Sequence, residues 1–135
     1  MKLENNWKYK SLLNLFKAVD SSSTEYQTKL TARCHQLLSL PLNEYTIEDL
    51  RLMISQQFGL TYLIPFAIEK LHNDLFAEGD FYSGDLLAAV FKIAPSFWKE
   101  NQKLWGELDE LIGPRKNEII NEGISLQIFE DSSQL

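Results

Sequence analysis

Residues 41–93 read PLNEYTIEDLRLMISQQFGLTYLIPFAIEKLHNDLFAEGDFYSGDLLAAVFKI and contain the clearest structural signals in the chain. Thr46 and Asp49 have the spacing of a capping box, in which each side chain accepts a hydrogen bond from a free backbone N–H at a helix start. Hydrophobic residues follow at helical spacing as far as Phe58, and Gly59 stands where a helix end favours a left-handed residue. This pattern predicts a helix between Thr46 and Gly59.

Two further elements follow in the same stretch. Residues 60–71 are hydrophobic for most of their length, which predicts an enclosed helix with Thr61 as its N-cap. Residues 73–84 contain glycine, aspartate and serine but show little periodicity, and they predict a loop. Asp85 or Ser83 can cap the hydrophobic helix that comes next. The stretch therefore predicts three helices, with an acidic loop before the third.

Helical periodicity continues on both sides of this stretch. Residues 8–19 and 22–38 predict two helices before it, and residues 96–112 and 115–122 predict two helices after it. The end of the chain turns polar, so we expect about the last ten residues to fray. We predict an all-α fold, in which residues 1–135 form one domain, a helical bundle of about six or seven helices.

Composition and charge limit the partners of this domain. The chain has 135 residues, 44% of them hydrophobic and 24% charged, which is typical of globular domains. A net charge of -6 argues against binding to nucleic acid or to an anionic membrane. The first 35 residues contain six basic and three acidic residues, whereas the remainder contains seven basic and sixteen acidic residues. The acidity therefore belongs to the central and C-terminal parts.

Cysteine usage and hydropathy predict the compartment. Cys34 is the single cysteine, so no internal disulfide can form, and a reducing environment is the simplest expectation. The N-terminal residues lack the hydrophobic core of a signal peptide, and no window approaches 18 uncharged hydrophobic residues. We therefore expect a cytoplasmic protein without a membrane span.

Neither a thiol nucleophile nor a metal site is predicted. Cys34 and His35 are adjacent, and neighbours on a helix point about 100° apart, so they do not form a catalytic pair. We interpret the cysteine as structural. The two histidines have no zinc spacing, and an EF-hand template laid from Asp74 places hydrophobic Phe76 at a ligand position. We predict no metal and no cofactor.

Carboxylate pairs are the strongest argument for an enzyme. Glu48 and Asp49 stand at a helix start, where they suit capping and the helix dipole. Asp80 and Asp85 suit turn formation and N-capping. No phosphate-binding loop or nucleophile motif completes a catalytic site. We predict that the chain is not an enzyme, with a small carboxylate- or metal-dependent hydrolase as the alternative.

The aromatic pair in the acidic loop suggests a binding surface. Phe81 and Tyr82 are flanked by glycines and carboxylates, which is the composition of aromatic anchors with charges that attract a basic partner. The alternative is that both rings hold the loop against the core. A helical adaptor in another complex would share these features.

A family resemblance covers the same stretch. Thr46–Leu71, TIEDLRLMISQQFGLTYLIPFAIEKL, and Gly79–Ile93, GDFYSGDLLAAVFKI, resemble a helical group of immunity proteins from bacterial contact-dependent growth inhibition (CDI) systems, the CdiI proteins. Tyr45 stands where that pattern has leucine, and Ser83 where proline is common. The matching positions are Pro41, Leu42, Thr46, Glu48, Asp49, Leu50, Arg51, Leu52, Ile54, Gln56, Gly59, Leu60, Tyr62, Leu63, Pro65, Ala67, Gly79, Asp80, Tyr82, Gly84, Asp85, Leu86 and Leu87.

The resemblance implies an inhibitor rather than a catalyst. CdiI proteins bind the C-terminal toxin domain of a cognate CdiA one to one and neutralise it in the cytosol. Those toxins are often nucleases, whose cationic phosphate-binding residues would complement an acidic surface. We expect that reversing the charges of Asp80 and Asp85 weakens toxin binding and leaves stability nearly unchanged. The candidate toxin contacts are Glu78, Asp80, Tyr82, Asp85, Glu44, Glu48 and Asp49.

Overall fold

The computed structural model describes residues 6–16 and 29–134 of the chain. These residues form nine α-helices joined by short turns, with no β-strand among them. In chain order, the helices are α1 (Leu12–Phe16), α2 (Lys29–Leu38), α3 (Ile47–Ser55), α4 (Leu60–Asn73), α5 (Asp85–Phe91), α6 (Pro95–Glu100), α7 (Gln102–Ile112), α8 (Lys116–Asn121) and α9 (Gln127–Asp131). Within these ranges no helix is both long and hydrophobic enough to cross a membrane.

The predicted all-α class is confirmed, and the described residues contain more helices than the six or seven expected. The predicted helix at 8–19 is interrupted at Lys10, whose backbone is extended between a 3-10 turn and α1. Asn101 divides the predicted helix at 96–112 into α6 and α7. The end of the first predicted helix and the start of the second, at Ser22, lie outside the described residues.

The capping box at the start of α3 is confirmed. The Asp49 N–H donates to Thr46 Oγ1 at 3.1 Å, and the Thr46 N–H donates to Asp49 Oδ2 at 3.0 Å. The helix ends at Ser55, earlier than Phe58, and Gly59 then has a φ of 66°. This left-handed conformation favours glycine, and a Cβ atom here would also lie in tight contact, 3.0 Å, with a methyl group of Leu12.

The next helix, α4, is largely enclosed. It begins at Leu60 with Gly59 as its N-cap, so the prediction of Thr61 as N-cap was wrong. Because the left-handed Gly59 starts the helix two residues earlier than predicted, Pro65 lies inside α4. The hydrophobic character of this helix has the expected consequence, because six of its side chains are buried: Leu63, Ile64, Phe66, Ala67, Ile68 and Leu71.

The C-terminal segment packs on the bundle through Phe129. This side chain is fully buried, and its ring centroid lies 5.3 Å from Phe91, 5.4 Å from Trp98 and 5.0 Å from Trp105. The indole N–H of Trp105 also donates to the carbonyl of Phe129 at 2.9 Å. We expected about the last ten residues to fray; among the described residues of this segment Leu126, Phe129 and Ser132 are buried, and Phe129 contacts aromatic rings on three helices.

Helices α3 and α5 lie side by side and run in the same direction. At their N-terminal ends, the N–H of Asp80 donates to Glu48 Oε1 at 2.9 Å. At their C-terminal ends, the N–H of Ala94 donates to Gln57 Oε1 at 2.8 Å. The loop that precedes α5 therefore lies against the start of α3, where the predicted binding residues are concentrated.

The aromatic anchor gives a prediction about stability. We expect Phe129→Ala to lower the free energy of unfolding by about 3–5 kcal/mol, because it leaves a cavity among three aromatic rings. The control is Ile128→Ala on the same helix, at a side chain that is 43% exposed, with an expected loss of about 1 kcal/mol or less. Chemical denaturation measures both. Equal losses for the two variants would show that the C-terminal segment does not contribute to the core.

Candidate functional site

The acidic loop, residues 78–84, is held in one conformation by a buried carboxylate. Asp85 is only 3% exposed. Its Oδ1 accepts the N–H of Gly79 at 2.6 Å, and its Oδ2 accepts the N–H groups of Phe81 and Tyr82 at 3.1 and 3.4 Å. Hydrogen bonds to a charged acceptor are stronger than neutral ones, so this arrangement fixes the loop backbone. We predicted Asp85 or Ser83 as the N-cap of α5; the N-cap is Gly84, and Asp85 caps the loop instead.

A second carboxylate attaches the loop to α3. Glu48 accepts the N–H of Asp80, and it also forms a two-point ion pair with Arg51, with N–O distances of 2.7 and 2.6 Å. The hydrogen bonds from Arg51 are the main cause that lowers the pKa of Glu48 below its ordinary value. The carboxylate therefore stays charged at neutral pH. In this charged state it accepts the hydrogen bonds from the Arg51 guanidinium and from the N–H of Asp80.

Gly79 allows the loop backbone to approach both carboxylates. A Cβ atom at this position would lie 2.6 Å from Glu48 Oε1 and 3.1 Å from Asp85 Oδ2. A side chain here would require the Glu48 carboxylate or the loop to shift, so glycine allows the loop its close approach to both acceptors. In the sequence Glu78–Gly79–Asp80, the glycine backbone thus contacts the supporting carboxylates of Glu48 and Asp85, while the acidic residues on either side of it are exposed.

The fixed loop presents two aromatic side chains to solvent. Phe81 is 69% exposed and Tyr82 is 47% exposed. The guanidinium carbon of Arg51 lies 4.5 Å from the ring centroid of Phe81, which is a cation–π contact that orients the ring without burying it. The alternative that both rings hold the loop against the core therefore does not apply. The backbone is held by carboxylates, and the rings remain available.

A shallow groove of about 290 Å³ continues from the loop between α3 and α5. Its floor is made of small side chains, Ala88 and Ala89, and Ser55 stands on its α3 side. Lys92 lies at the end away from the loop. The remaining lining residues are Arg51, Phe81, Tyr82 and Asp85. The site is thus a groove with an aromatic rim at one end and a basic side chain at the other.

The seven predicted contact residues fall into different environments. Asp49, 5% exposed, forms the capping box and an ion pair with Arg33 at 2.9 Å. Asp49 and Asp85 are therefore buried and already hydrogen-bonded, and Glu48 is partly buried and paired. Glu44 lies in the 3-10 turn Leu42–Glu44 before α3. The exposed members are Glu44, Glu78, Asp80 and Tyr82.

The burial and hydrogen bonds of Asp85 change the expectation that charge reversal there leaves stability nearly unchanged: we now expect a loss of stability. A buried carboxylate that accepts three backbone N–H groups cannot be replaced by a cation without leaving those donors unpaired.

No group of three or more His, Cys, Asp and Glu side chains that could hold a metal ion occurs within residues 6–16 and 29–134.

Several groove residues were absent from the sequence-based site. The residues 85, 88, 89 and 92 follow the i, i+3, i+4, i+7 spacing, so they share one face of α5. We interpreted this helix as part of the hydrophobic core. Its two alanines, Ala88 and Ala89, lie between charged Asp85 and Lys92, and this pattern was the sequence signal that one face of the helix borders a groove. Arg51 and Phe81 were noted in the sequence but were not predicted as a stacked pair.

The buried carboxylate gives a matched pair of variants. We expect Asp85→Asn to lower the free energy of unfolding by about 1–3 kcal/mol, because an amide retains one acceptor oxygen and leaves loop N–H groups unsatisfied. Asp80→Asn, which removes the same charge from an exposed side chain, should change it by no more than about 0.5 kcal/mol. Urea denaturation at neutral pH measures both. Equal stability of the two variants would contradict the structural role of Asp85.

Comparison with known proteins agrees with the sequence resemblance. A family described as CDI immunity proteins matches residues 16–108, more than half of the chain. The match includes α3, α4, the acidic loop and α5, so it covers the groove and both blocks of the resemblance. No curated protein and no solved structure matches the chain. On the extent of the family match, the chain belongs to the CDI immunity proteins.

Proposed function

We propose that the chain neutralises the C-terminal toxin domain of a cognate CdiA by forming a one-to-one complex with it in the cytoplasm. Membership of the CDI immunity family is the observation that carries this proposal. We further propose that the toxin is a nuclease. Nucleases hold phosphates with cationic residues, and an inhibitor with a net charge of -6 would be attracted to such a surface.

The contact surface in this proposal is the acidic loop. Glu78, Asp80 and Tyr82 are exposed side chains on a backbone fixed by Asp85 and Glu48. A preorganised loop loses little conformational freedom on binding, which favours a tight complex. Exposed aromatic residues beside such charges have the character of interface hot spots.

The other predicted contacts receive different roles. We assign Glu48, Asp49 and Asp85 to positioning, because each carboxylate is already bound by N–H groups or by an arginine. Glu44 remains a peripheral contact candidate on the turn before α3. The same hydrogen bonds disfavour the hydrolase alternative, since a general base needs a carboxylate that can reach a substrate proton.

The direct test uses the toxin domain encoded by the reading frame immediately upstream, which we expect to encode a very large secreted protein. The purified toxin domain should degrade tRNA or DNA, and one equivalent of the chain should abolish the degradation. Calorimetry should give a stoichiometry of one. Binding without any nuclease activity would contradict only the proposed toxin class, whereas absence of binding would contradict the proposed partner.

Within that complex, Tyr82 should be an energetic anchor. We expect Tyr82→Ala to weaken toxin binding by about 2 kcal/mol or more, because truncation removes a large contact from a fixed loop. The control is Tyr9→Ala, which removes a 72% exposed ring outside the loop and should leave the affinity nearly unchanged. Calorimetric titration of both variants, after confirmation of equal thermal stability, measures the difference. Equal affinities would remove the loop from the interface.

A further inference from the structure

The groove beside the acidic loop is suited to a protein side chain rather than to a small molecule. Its volume of about 290 Å³ is at the lower end of the roughly 300–1,000 Å³ of typical small-molecule sites, and the groove is shallow and open to solvent rather than enclosing. Ala88 and Ala89 form a smooth floor, because neither side chain extends beyond Cβ. The exposed rings of Phe81 and Tyr82 stand at one end. Together these features fit a hydrophobic side chain from a partner.

The charges around the groove are not uniformly acidic. Lys92 is exposed, and its side chain has no ion pair within the part of the chain that the structure describes. The positive charge of Arg51 is already balanced by Glu48, at 2.6 Å. At the loop end, Asp80 is exposed and close enough to Arg51 to contribute to its raised pKa. The available charges are therefore negative at the loop end and positive at the opposite end.

We infer that this groove receives a segment of the toxin domain in which a hydrophobic side chain lies between a basic and an acidic side chain. The basic side chain faces Asp80, the hydrophobic side chain enters over Ala88 and Ala89, and the acidic side chain faces Lys92. Asp85 and Lys92 are seven positions apart, which corresponds to about 10 Å along a helix and sets the length of the groove beside α5. This inference rests on the proposed function and adds the chemistry and direction of the partner segment.

Charge complementarity identifies the toxin segment as the occupant. The groove shares Tyr82 and Phe81 with the loop that we propose as the toxin contact, so a partner bound to the loop necessarily approaches the groove. A uniformly basic surface would satisfy Asp80 but would be repelled by Lys92. A partner with both signs of charge satisfies both ends and fixes its own orientation.

The test measures toxin affinity for two variants that alter opposite properties of the groove. Lys92→Glu reverses the free charge, and we expect a dissociation constant about tenfold higher. Ser55→Phe fills the groove from its exposed edge, and we expect at least about a 30-fold increase. The controls are Lys99→Glu and Gln56→Phe, which make the same changes at exposed positions outside the groove. Both controls should bind within about twofold of the wild type.

The outcomes separate this inference from the proposed function. If the wild-type chain binds the toxin domain but the groove variants bind as tightly as their controls, the groove is not part of the interface and the inference fails. If the wild type does not bind, both fail. An acidic-to-lysine substitution in the toxin that restores binding to Lys92→Glu would support the assigned direction. Tighter binding of Lys92→Glu than of the wild type would instead show a basic segment and overturn it.

Discussion

The candidate site depends on one buried carboxylate. Removing Asp85 from water is unfavourable unless its charge is compensated, and here three loop N–H groups supply the compensation. The same hydrogen bonds satisfy backbone donors that would otherwise have no partner in an irregular loop. The backbone around Gly79 can reach the carboxylate because this residue has no side chain. In the sequence Asp85 has the character of a binding charge, but in the structure it supports the loop backbone from inside. The side chains of its neighbours in the loop therefore remain exposed.

The bundle places this support at the junction of two parallel helices. Glu48 on α3 and Asp85 at the start of α5 both accept N–H groups of the loop, so its position follows that of both helices. Behind them, Phe91 on α5 packs against Phe129 near the end of the chain. The matched family region ends at residue 108, yet this later residue completes the aromatic core behind α5. Residues beyond the family match therefore contribute to the rigidity of the helix that forms the groove.

The sequence predicted features that depend on local spacing. The capping box at Thr46, the hydrophobic face of α4 and the loop before α5 are set by neighbours along the chain, and the structure contains all three. It did not predict which carboxylates are buried, because the donors to Asp85 become close only when the loop folds back. It also did not predict the burial of Phe129, whose partners lie on three other helices. The all-α class follows from hydrophobic periodicity in the sequence. Which carboxylates are buried and hydrogen-bonded, and which are exposed, follows instead from tertiary contacts.

That division changes how acidity relates to partner recognition. Residues 109–134 contain six acidic and two basic residues, so much of the net negative charge lies outside the loop and outside the family match. Such charge would attract a cationic partner over a distance of about a Debye length, roughly 8 Å at physiological ionic strength, and it would do so with little selectivity. Selectivity requires short-range features that an incorrect toxin cannot satisfy. In the proposed complex, a fixed aromatic pair and a groove with opposite charges at its ends would provide such features, so attraction and discrimination would reside on different parts of one small bundle.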